Sequence, residues 1–181
     1  MQEMLFLKTL QFFLENPYRE VYLRELAKKL KISPFAIKKY ASILIKEELI
    51  LEERRAHLRY FTANTSNKFY KQLKISLNIQ NILKSKLIEY IQKSIPAISS
   101  VVLFGSLAKG ENDEKSDIDI LIIGKDKHMD IRQFEKELSR SINSHTMLWN
   151  QWKENYKENK AFYYDIIAYG IPLYGELPLI K

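Results

Sequence analysis

Residues 101–123, with the sequence VVLFGSLAKGENDEKSDIDILII, contain two apolar runs separated by a short polar stretch. The first run stops at Gly105, and the second carries two carboxylates, Asp117 and Asp119, two positions apart. Because residues i and i+2 of a strand point to the same face, both carboxylates are predicted to share one face. Like charges so placed repel unless a cation lies between them. Magnesium fits, since it takes oxygen ligands and is usually held by one or two carboxylates together with substrate phosphates.

The residues between the two runs favour the binding of an anion. If Gly105 and Ser106 open a helix, they offer backbone N–H groups and a hydroxyl to a phosphate. A phosphate site that faces a two-carboxylate metal site is typical of phosphoryl or nucleotidyl transfer. The alternative is a plain β-hairpin with a solvated polar loop. Against it, two aspartates within an isoleucine-rich strand would need partners, because buried charges are costly.

The motif also resembles a known signature, that of the DNA polymerase β superfamily of nucleotidyltransferases. The residues that carry the resemblance are Gly105-Ser106, Gly110 and Ser116-Asp117-Ile118-Asp119. It is strongest toward the minimal nucleotidyltransferases, a group of small prokaryotic proteins, and covers roughly residues 80–181. The resemblance implies that Asp117 and Asp119 are catalytic and hold Mg²⁺ or Mn²⁺. It also implies residues that bind ATP or another nucleoside triphosphate: Gly105, Ser106, Lys109 and Ser116. The implied acceptor is a hydroxyl of a protein or small molecule, and some members are antitoxins that adenylylate a partner toxin.

One position departs from the superfamily pattern. Members typically carry a third carboxylate on the strand beside the aspartate pair, and Asn143 stands at that place here. An amide oxygen can still donate to a metal, but it cannot act as a general base and brings no charge for a second ion. His145 shares a strand face with Asn143 and is either a substitute base or an ordinary strand histidine. Asp165 is interpreted as a surface or capping residue.

The N-terminal segment has the element order of a winged helix-turn-helix domain. Helices are predicted from Leu5 to Leu14, from Tyr22 to Leu30 and from Pro34 to Glu47, with Ser33 as the N-cap of the third. Two strand-like runs follow, Leu49–Glu52 and Leu58–Phe61. The stretches Tyr22–Ser33 and Glu48–Asn64 are similar to prokaryotic winged-helix regulators.

This similarity implies binding to double-stranded DNA, with the third helix in the major groove. The candidate outward residues of that helix are Ser33, Phe35, Lys38, Lys39 and Ser42. Arg54, Arg55 and Arg59 would flank a neighbouring phosphate backbone. The alternative is a winged helix used for protein contact. Winged-helix regulators are usually dimers, so a homodimer is expected.

Composition and charge agree with two parts that have different partners. The chain has 181 residues and a net charge of +7. Residues 1–96 carry 18 basic and 9 acidic residues, whereas residues 97–181 carry 11 and 13. A basic half favours nucleic acid only weakly. The absence of cysteine excludes disulfides and zinc–thiolate sites. No signal peptide is apparent and the apolar runs are too short to span a membrane, so a soluble cytoplasmic protein is expected.

The predicted fold class is α+β, with a winged helix-turn-helix, a helical linker and a small polymerase β-like α/β domain. The boundaries are 1–65, 66–95 and 96–181, and the polar residues 78–81 could break the linker helix. After the aspartate strand, a helix is expected over 131–140, a strand over 141–148 and helices over 149–156 and 161–169.

Three functions follow from these features. The first is a metal-dependent nucleotidyltransferase attached to a DNA-binding domain. The second is a non-catalytic transcription regulator that senses a nucleotide, which Asn143 favours. The third is an interaction protein, against which the intact Gly105-Ser106 and aspartate motifs argue.

Overall fold

A computed structural model describes residues 2–180 of the chain. The chain divides into two compact units, residues 1–74 and 75–181. The predicted three-part division stays a prediction. Among the described residues, no helix is long and apolar enough to cross a membrane.

The first unit combines three helices with a small antiparallel sheet. Its elements are α1 (Gln2–Glu15), β1 (Val21–Tyr22), α2 (Leu23–Leu30), α3 (Pro34–Lys46), β2 (Ile50–Arg55) and β3 (Leu58–Ala63). The strands lie in the order β1-β3-β2, and Val21 of β1 pairs with Phe61 of β3. The two-residue strand β1 was not predicted, because so short a segment carries no periodicity. The interpretation of this unit as a winged helix stays a prediction.

Local chemistry explains where the helices of this unit begin and pack. The Ser33 hydroxyl accepts a hydrogen bond from the Ala36 N–H at 3.2 Å, and Pro34 occupies the first turn of α3. The predicted N-cap is therefore confirmed. The fully buried side chains of the unit include Leu26, Ile37, Leu44 and Phe61.

The helical segment that follows breaks at a different place from the one expected. Helix α4 (Lys68–Lys84) runs without interruption through residues 78–81, and α5 (Leu87–Ser94) follows it. The expected break was wrong because Asn78 is buried with partners, donating to the Leu107 carbonyl at 3.0 Å and to Asn112 Oδ1 at 2.8 Å. The turn lies instead at Ser85-Lys86, where Lys86 has a φ of 61°.

The second unit is built on a four-stranded mixed sheet. Its further elements are β4 (Ser100–Phe104), α6 (Gly105–Lys109), β5 (Ile118–Ile123), α7 (Arg132–Leu138), β6 (Ile142–Met147), α8 (Trp149–Glu158), α9 (Lys160–Tyr169) and β7 (Ile171–Gly175). The strand order is β6-β5-β4-β7. Strand β4 pairs antiparallel with both β5 and β7, whereas β5 and β6 run parallel.

Strand β5 is central because hydrophobic cores cover both of its faces. Ile118, Ile120 and Ile122 pack in one core together with residues of α5. Leu121 and Ile123 pack in the other core, which includes side chains of α8 and α9. Asp119 alternates with the isoleucines and therefore belongs to the face that α8 and α9 cover.

Strand β7 was not predicted from the sequence. Residues 171–175 contain Pro172, which cannot donate a ladder hydrogen bond and is tolerated only at an edge or a bulge. The structure places β7 at an edge of the sheet, and its pairing with β4 shifts register between Val101 and Val102.

Candidate functional site

The two predicted carboxylates meet at the start of β5, and Asn143 of β6 joins them. Asp119 lies opposite Asn143 in the parallel register. The Asn143 Nδ2 donates to Asp117 Oδ2 at 3.3 Å and to Asp119 Oδ1 at 3.2 Å. One amide group therefore contacts both carboxylates and offsets part of their mutual repulsion. Asp117 and Asn143 are exposed and Asp119 is half-buried, so the cluster faces solvent.

Gly105 is tied to the same carboxylate by backbone geometry. Phe104 pairs with Asp119 across the two strands, and Gly105 follows with a φ of 69°. A Cβ atom at Gly105 would collide with Asp119 Oδ2. Only glycine satisfies both the left-handed backbone and the close approach. The glycine motif and the aspartate motif thus form one structural unit.

Ser106 lies in the first turn of α6 and is half-buried. Its carbonyl accepts a hydrogen bond from the Glu111 N–H at 3.0 Å. Within residues 2–180 its hydroxyl has no hydrogen-bond partner, so it remains available to a ligand.

Lys109, predicted to contact a triphosphate, is already paired. Its Nζ lies 2.5 Å from Asp165 Oδ1 of α9 and 5.0 Å from the centre of the Tyr169 ring. Sequence reasoning missed this role of Asp165 because the two partners lie 56 residues apart. A phosphate ligand would have to compete with Asp165 for the ammonium group.

The Ser116 hydroxyl shapes the loop before Asp117. It accepts from the Asp113 N–H and donates to Asp113 Oδ1, both at 2.9 Å. Hydrogen bonds from the Lys115 N–H and then from Ser116 hold the pKa of Asp113 below its usual value. Arg140, which the sequence analysis did not single out, donates from Nη1 to the Ser116 carbonyl at 2.5 Å. Ser116 thus has a clear structural role, and its contact with nucleotide stays a prediction.

His145 occupies the predicted face of β6 but lies among aromatic rings. Its ring centre is 5.6 Å from that of Phe104 and 6.0 Å from that of Phe162. It lies two positions from Asn143 in the strand, a distance of about 7 Å along the chain. In the described part of the chain it makes no hydrogen bond to either aspartate. Its action as a base stays a prediction.

The residues predicted to contact DNA from α3 are all exposed, but two of them are used within the helix. Ser33 caps the N-terminus, and the Ser42 hydroxyl donates to the Lys38 carbonyl at 2.9 Å. Phe35 is 81% exposed, and Lys38 and Lys39 are also exposed. Of the residues predicted to contact DNA from α3, Phe35, Lys38 and Lys39 therefore present an aromatic ring and two ammonium groups to solvent.

The three arginines of the β2–β3 hairpin are each paired with a carboxylate of the same unit. Arg54 lies 3.1 Å and Arg59 2.6 Å from Glu52, and Arg55 contacts both Glu20 and Glu53. The hydrogen bond from Arg59 lowers the pKa of Glu52 to about 2, and Arg54 contributes in the same direction. Three positive and three negative charges thus offset one another in the hairpin and its surroundings.

Comparison with known proteins matches the second unit. The profile of the family described as "Polymerase beta, Nucleotidyltransferase" matches residues 85–177. Among solved structures, a toxin–antitoxin complex crystallised with AMP-PNP aligns at 20% identity over 55% of this chain and 74% of its own, with a TM-score of 0.38. Two mutant forms of the toxin–antitoxin complex MntA–HpeT align at 19% and 17% identity. Both alignments cover 51% of this chain. They cover 72% and 73% of the neighbours' own chains, with TM-scores of 0.36 and 0.37. No curated protein sequence gives a significant match.

The close approach of Gly105 to Asp119 leads to a stability prediction. We expect Gly105→Ala to lower the free energy of unfolding by about 1–3 kcal/mol, because the new Cβ meets the Asp119 carboxylate in a left-handed backbone. Urea unfolding measures the loss. The control is Gly110→Ala, which puts a side chain at a similar φ of 68° at the C-cap of α6. Equal losses in the two variants would show that backbone strain alone, without the carboxylate, explains the effect.

Proposed function

We propose, since this chain belongs to the polymerase β nucleotidyltransferase family, that it binds a metal-complexed nucleoside triphosphate. It then transfers the nucleoside monophosphate to a hydroxyl group of a protein or small molecule. The observation that supports this is the juxtaposition of three strand ends: Gly105 after β4, the Asp117–Asp119 pair at the start of β5, and Asn143 at the start of β6. The juxtaposition unites the two sequence motifs in a solvent-facing site.

The donor set fits Mg²⁺ or Mn²⁺. Asp117 and Asp119 supply carboxylate oxygens, and rotation of the Asn143 amide would present its oxygen in place of the nitrogen. In residues 2–180 no three His, Cys, Asp or Glu side chains form a metal-binding group, because the third member here is an amide. When bound, the cation supplies positive charge that neutralises the phosphates of the substrate.

We assign three further groups to the triphosphate. The unpaired Ser106 hydroxyl offers a hydrogen bond, and Gly105 allows close approach of the backbone. Lys109 would exchange Asp165 for phosphate, which breaks one half-buried ion pair and gains a more highly charged partner. We assign Ser116 to positioning, since its hydroxyl already holds Asp113.

Activation of the acceptor hydroxyl is the weak part of the site. Asn143 cannot accept a proton, and a general base typically contributes about 10²–10⁴ in rate. Phosphoryl transfer depends mainly on positioning and charge stabilisation, so a slower transfer is compatible with this site. A nucleotide-sensing role without turnover is the alternative.

Nucleotide binding tests the proposal directly. In calorimetry, we expect ATP to bind the chain in a Mg²⁺-dependent manner and Asp117→Asn to weaken that binding by at least about tenfold, or about 1.4 kcal/mol, because one of two charged ligands is lost. Glu154→Gln on α8 removes the same charge from an exposed position and serves as the control. ATP binding that depends on neither Mg²⁺ nor Asp117 would reject the proposed site.

A second prediction concerns the Asn143 amide. We expect Asn143→Asp to lower stability by about 1 kcal/mol in a chelator, because a bridging donor is replaced by a third negative charge. Mg²⁺ should restore more stability to this variant than to the wild type, since its affinity for the cation rises. Asn143→Ala removes the bridge without adding charge, so it should lose stability but gain no affinity. Thermal unfolding with and without Mg²⁺ measures both effects, and equal Mg²⁺ responses in all three proteins would contradict the assignment.

We also propose that the first unit is a winged helix that binds double-stranded DNA, as a homodimer. The exposed group formed by Phe35, Lys38 and Lys39 on α3 favours this function. Between the two predicted sets of DNA contacts, the α3 lysines are the more available, because each hairpin arginine would have to leave a carboxylate to meet a phosphate. The two proposed functions are compatible in one protein.

DNA binding has its own test. With a double-stranded fragment of the chain's own promoter region, Lys38→Glu combined with Lys39→Glu should abolish binding at physiological salt. Neutral Gln substitutions at both positions should reduce the steepness of the plot of log affinity against log salt concentration by about two, one per lost phosphate contact. Lys153→Glu combined with Lys157→Glu on α8 makes the same change in net charge and is the control. If both Glu pairs weaken binding equally, total charge rather than α3 is responsible.

A further inference from the structure

Strand β6 leaves one edge of the sheet open beside the candidate site. It is the terminal strand in the order β6-β5-β4-β7. The Ile118 and Gly124 N–H groups of the β5 segment donate to the carbonyls of Ser141 and Met147. Backbone groups alternate along a strand, so Asn143 and His145 also face β5, whereas residues 142, 144 and 146 face outward.

Only the first of the three outward residues has a partner. The Ile142 N–H donates to Glu135 Oε1 at 3.0 Å. In the part of the chain that the structure describes, the backbone N–H and C=O groups of Ser144 and Thr146 have none. Such a row of groups is a template for another strand. The opposite edge strand, β7, contains Pro172, but β6 contains neither Pro nor Lys, which commonly block edges.

A cleft of about 540 Å³ lies along this open edge. The segment after β5, with Asp126, Lys127 and His128, forms one wall, and Ser144, His145 and Thr146 of β6 form the other. The charges in the wall are of mixed sign, which disfavours a small ligand of one charge. Backbone donors and acceptors spaced two residues apart match an extended polypeptide instead.

We propose that β6 is the docking edge for an extended segment of a protein acceptor, which adds to the sheet as a fifth strand. The proposal rests on the nucleotidyltransferase function proposed above and names the acceptor class and its place. In an antiparallel addition, Ser144 and Thr146 would form the hydrogen-bonded pairs. Asn143 would then occupy a non-hydrogen-bonded pair, in which opposing Cα atoms are only about 4.5 Å apart.

This register brings an acceptor side chain to the aspartates. The acceptor residue opposite Asn143 projects on the same face as Asn143, beside Asp117 and Asp119. A Ser, Thr or Tyr there presents its hydroxyl oxygen to the α-phosphorus of the bound nucleoside triphosphate. The new O–P bond forms as the bond to the β-phosphate oxygen breaks, pyrophosphate leaves, and the hydroxyl proton passes to water.

The test uses short random peptides displayed on phage and selected on the full chain with Mg–ATP. We expect selected peptides to contain a hydroxyl residue and to protect the Ser144 and Thr146 amides from hydrogen exchange. Ser144→Pro removes an outward N–H without touching the ladder to β5, and should weaken peptide binding at least about tenfold while Mg–ATP binding is kept. Ser144→Ala keeps the N–H and should bind like the wild type.

A peptide-side variant keeps the test independent of the folding of Ser144→Pro. N-methylation of the peptide amides that face β6 should abolish binding, whereas methylation of the alternate amides should not. The proposal is overturned if no peptide is selected, if both methylated forms bind equally, or if Ser144→Pro only converts a dimer of this chain into monomers. If peptides pair with β6 but the chain does not bind Mg–ATP, the docking edge is upheld and the proposed transferase function is rejected.

Discussion

The register of β5 is the constraint on which the second unit depends. The strand is packed between two cores, and its isoleucines and leucines alternate between them. A slip of one residue would move Asp119 to the face that packs against α5 and would send Ile118, Ile120 and Ile122 to the other core. The register therefore fixes Asp119 opposite Phe104 on one side and Asn143 on the other. Hydrophobic burial in the strand holds the carboxylate site in place.

The two units differ in how their charges are paired, and this difference cannot be seen from the net charge. In the second unit, two carboxylates lie together and a neutral amide contacts both, so negative charge stays concentrated and exposed. In the first unit, the hairpin arginines and their glutamates offset each other, while the lysines of α3 face solvent. The positive charge of the hairpin is thus offset by neighbouring carboxylates, whereas Lys38 and Lys39 of α3 remain exposed. Local pairing matters more for binding than the overall count of charges.

Much of the fold was predictable because its signals are local. Ser33-Pro34 marks the start of α3, and alternation marks β5, since caps and periodicity depend on neighbouring residues. The predictions were poorer where long-range packing decides. The polar run at 78–81 indicated a break, yet Asn78 is buried and bonded to residues about 30 positions away. Strand β7 was missed because only pairing with β4 makes residues 171–175 a strand.

The candidate site divides in the same way. The sequence by itself determined that Asp117 and Asp119 share a face and that Gly105-Ser106 precedes them, because strand periodicity and motif spacing are properties of the chain. The tertiary structure alone decided that the Asn143 amide contacts both carboxylates, that Asp165 holds Lys109, and that the outer edge of β6 is open. Each of these depends on which distant segments pack together, and packing is set by the burial of both faces of the sheet rather than by any local pattern.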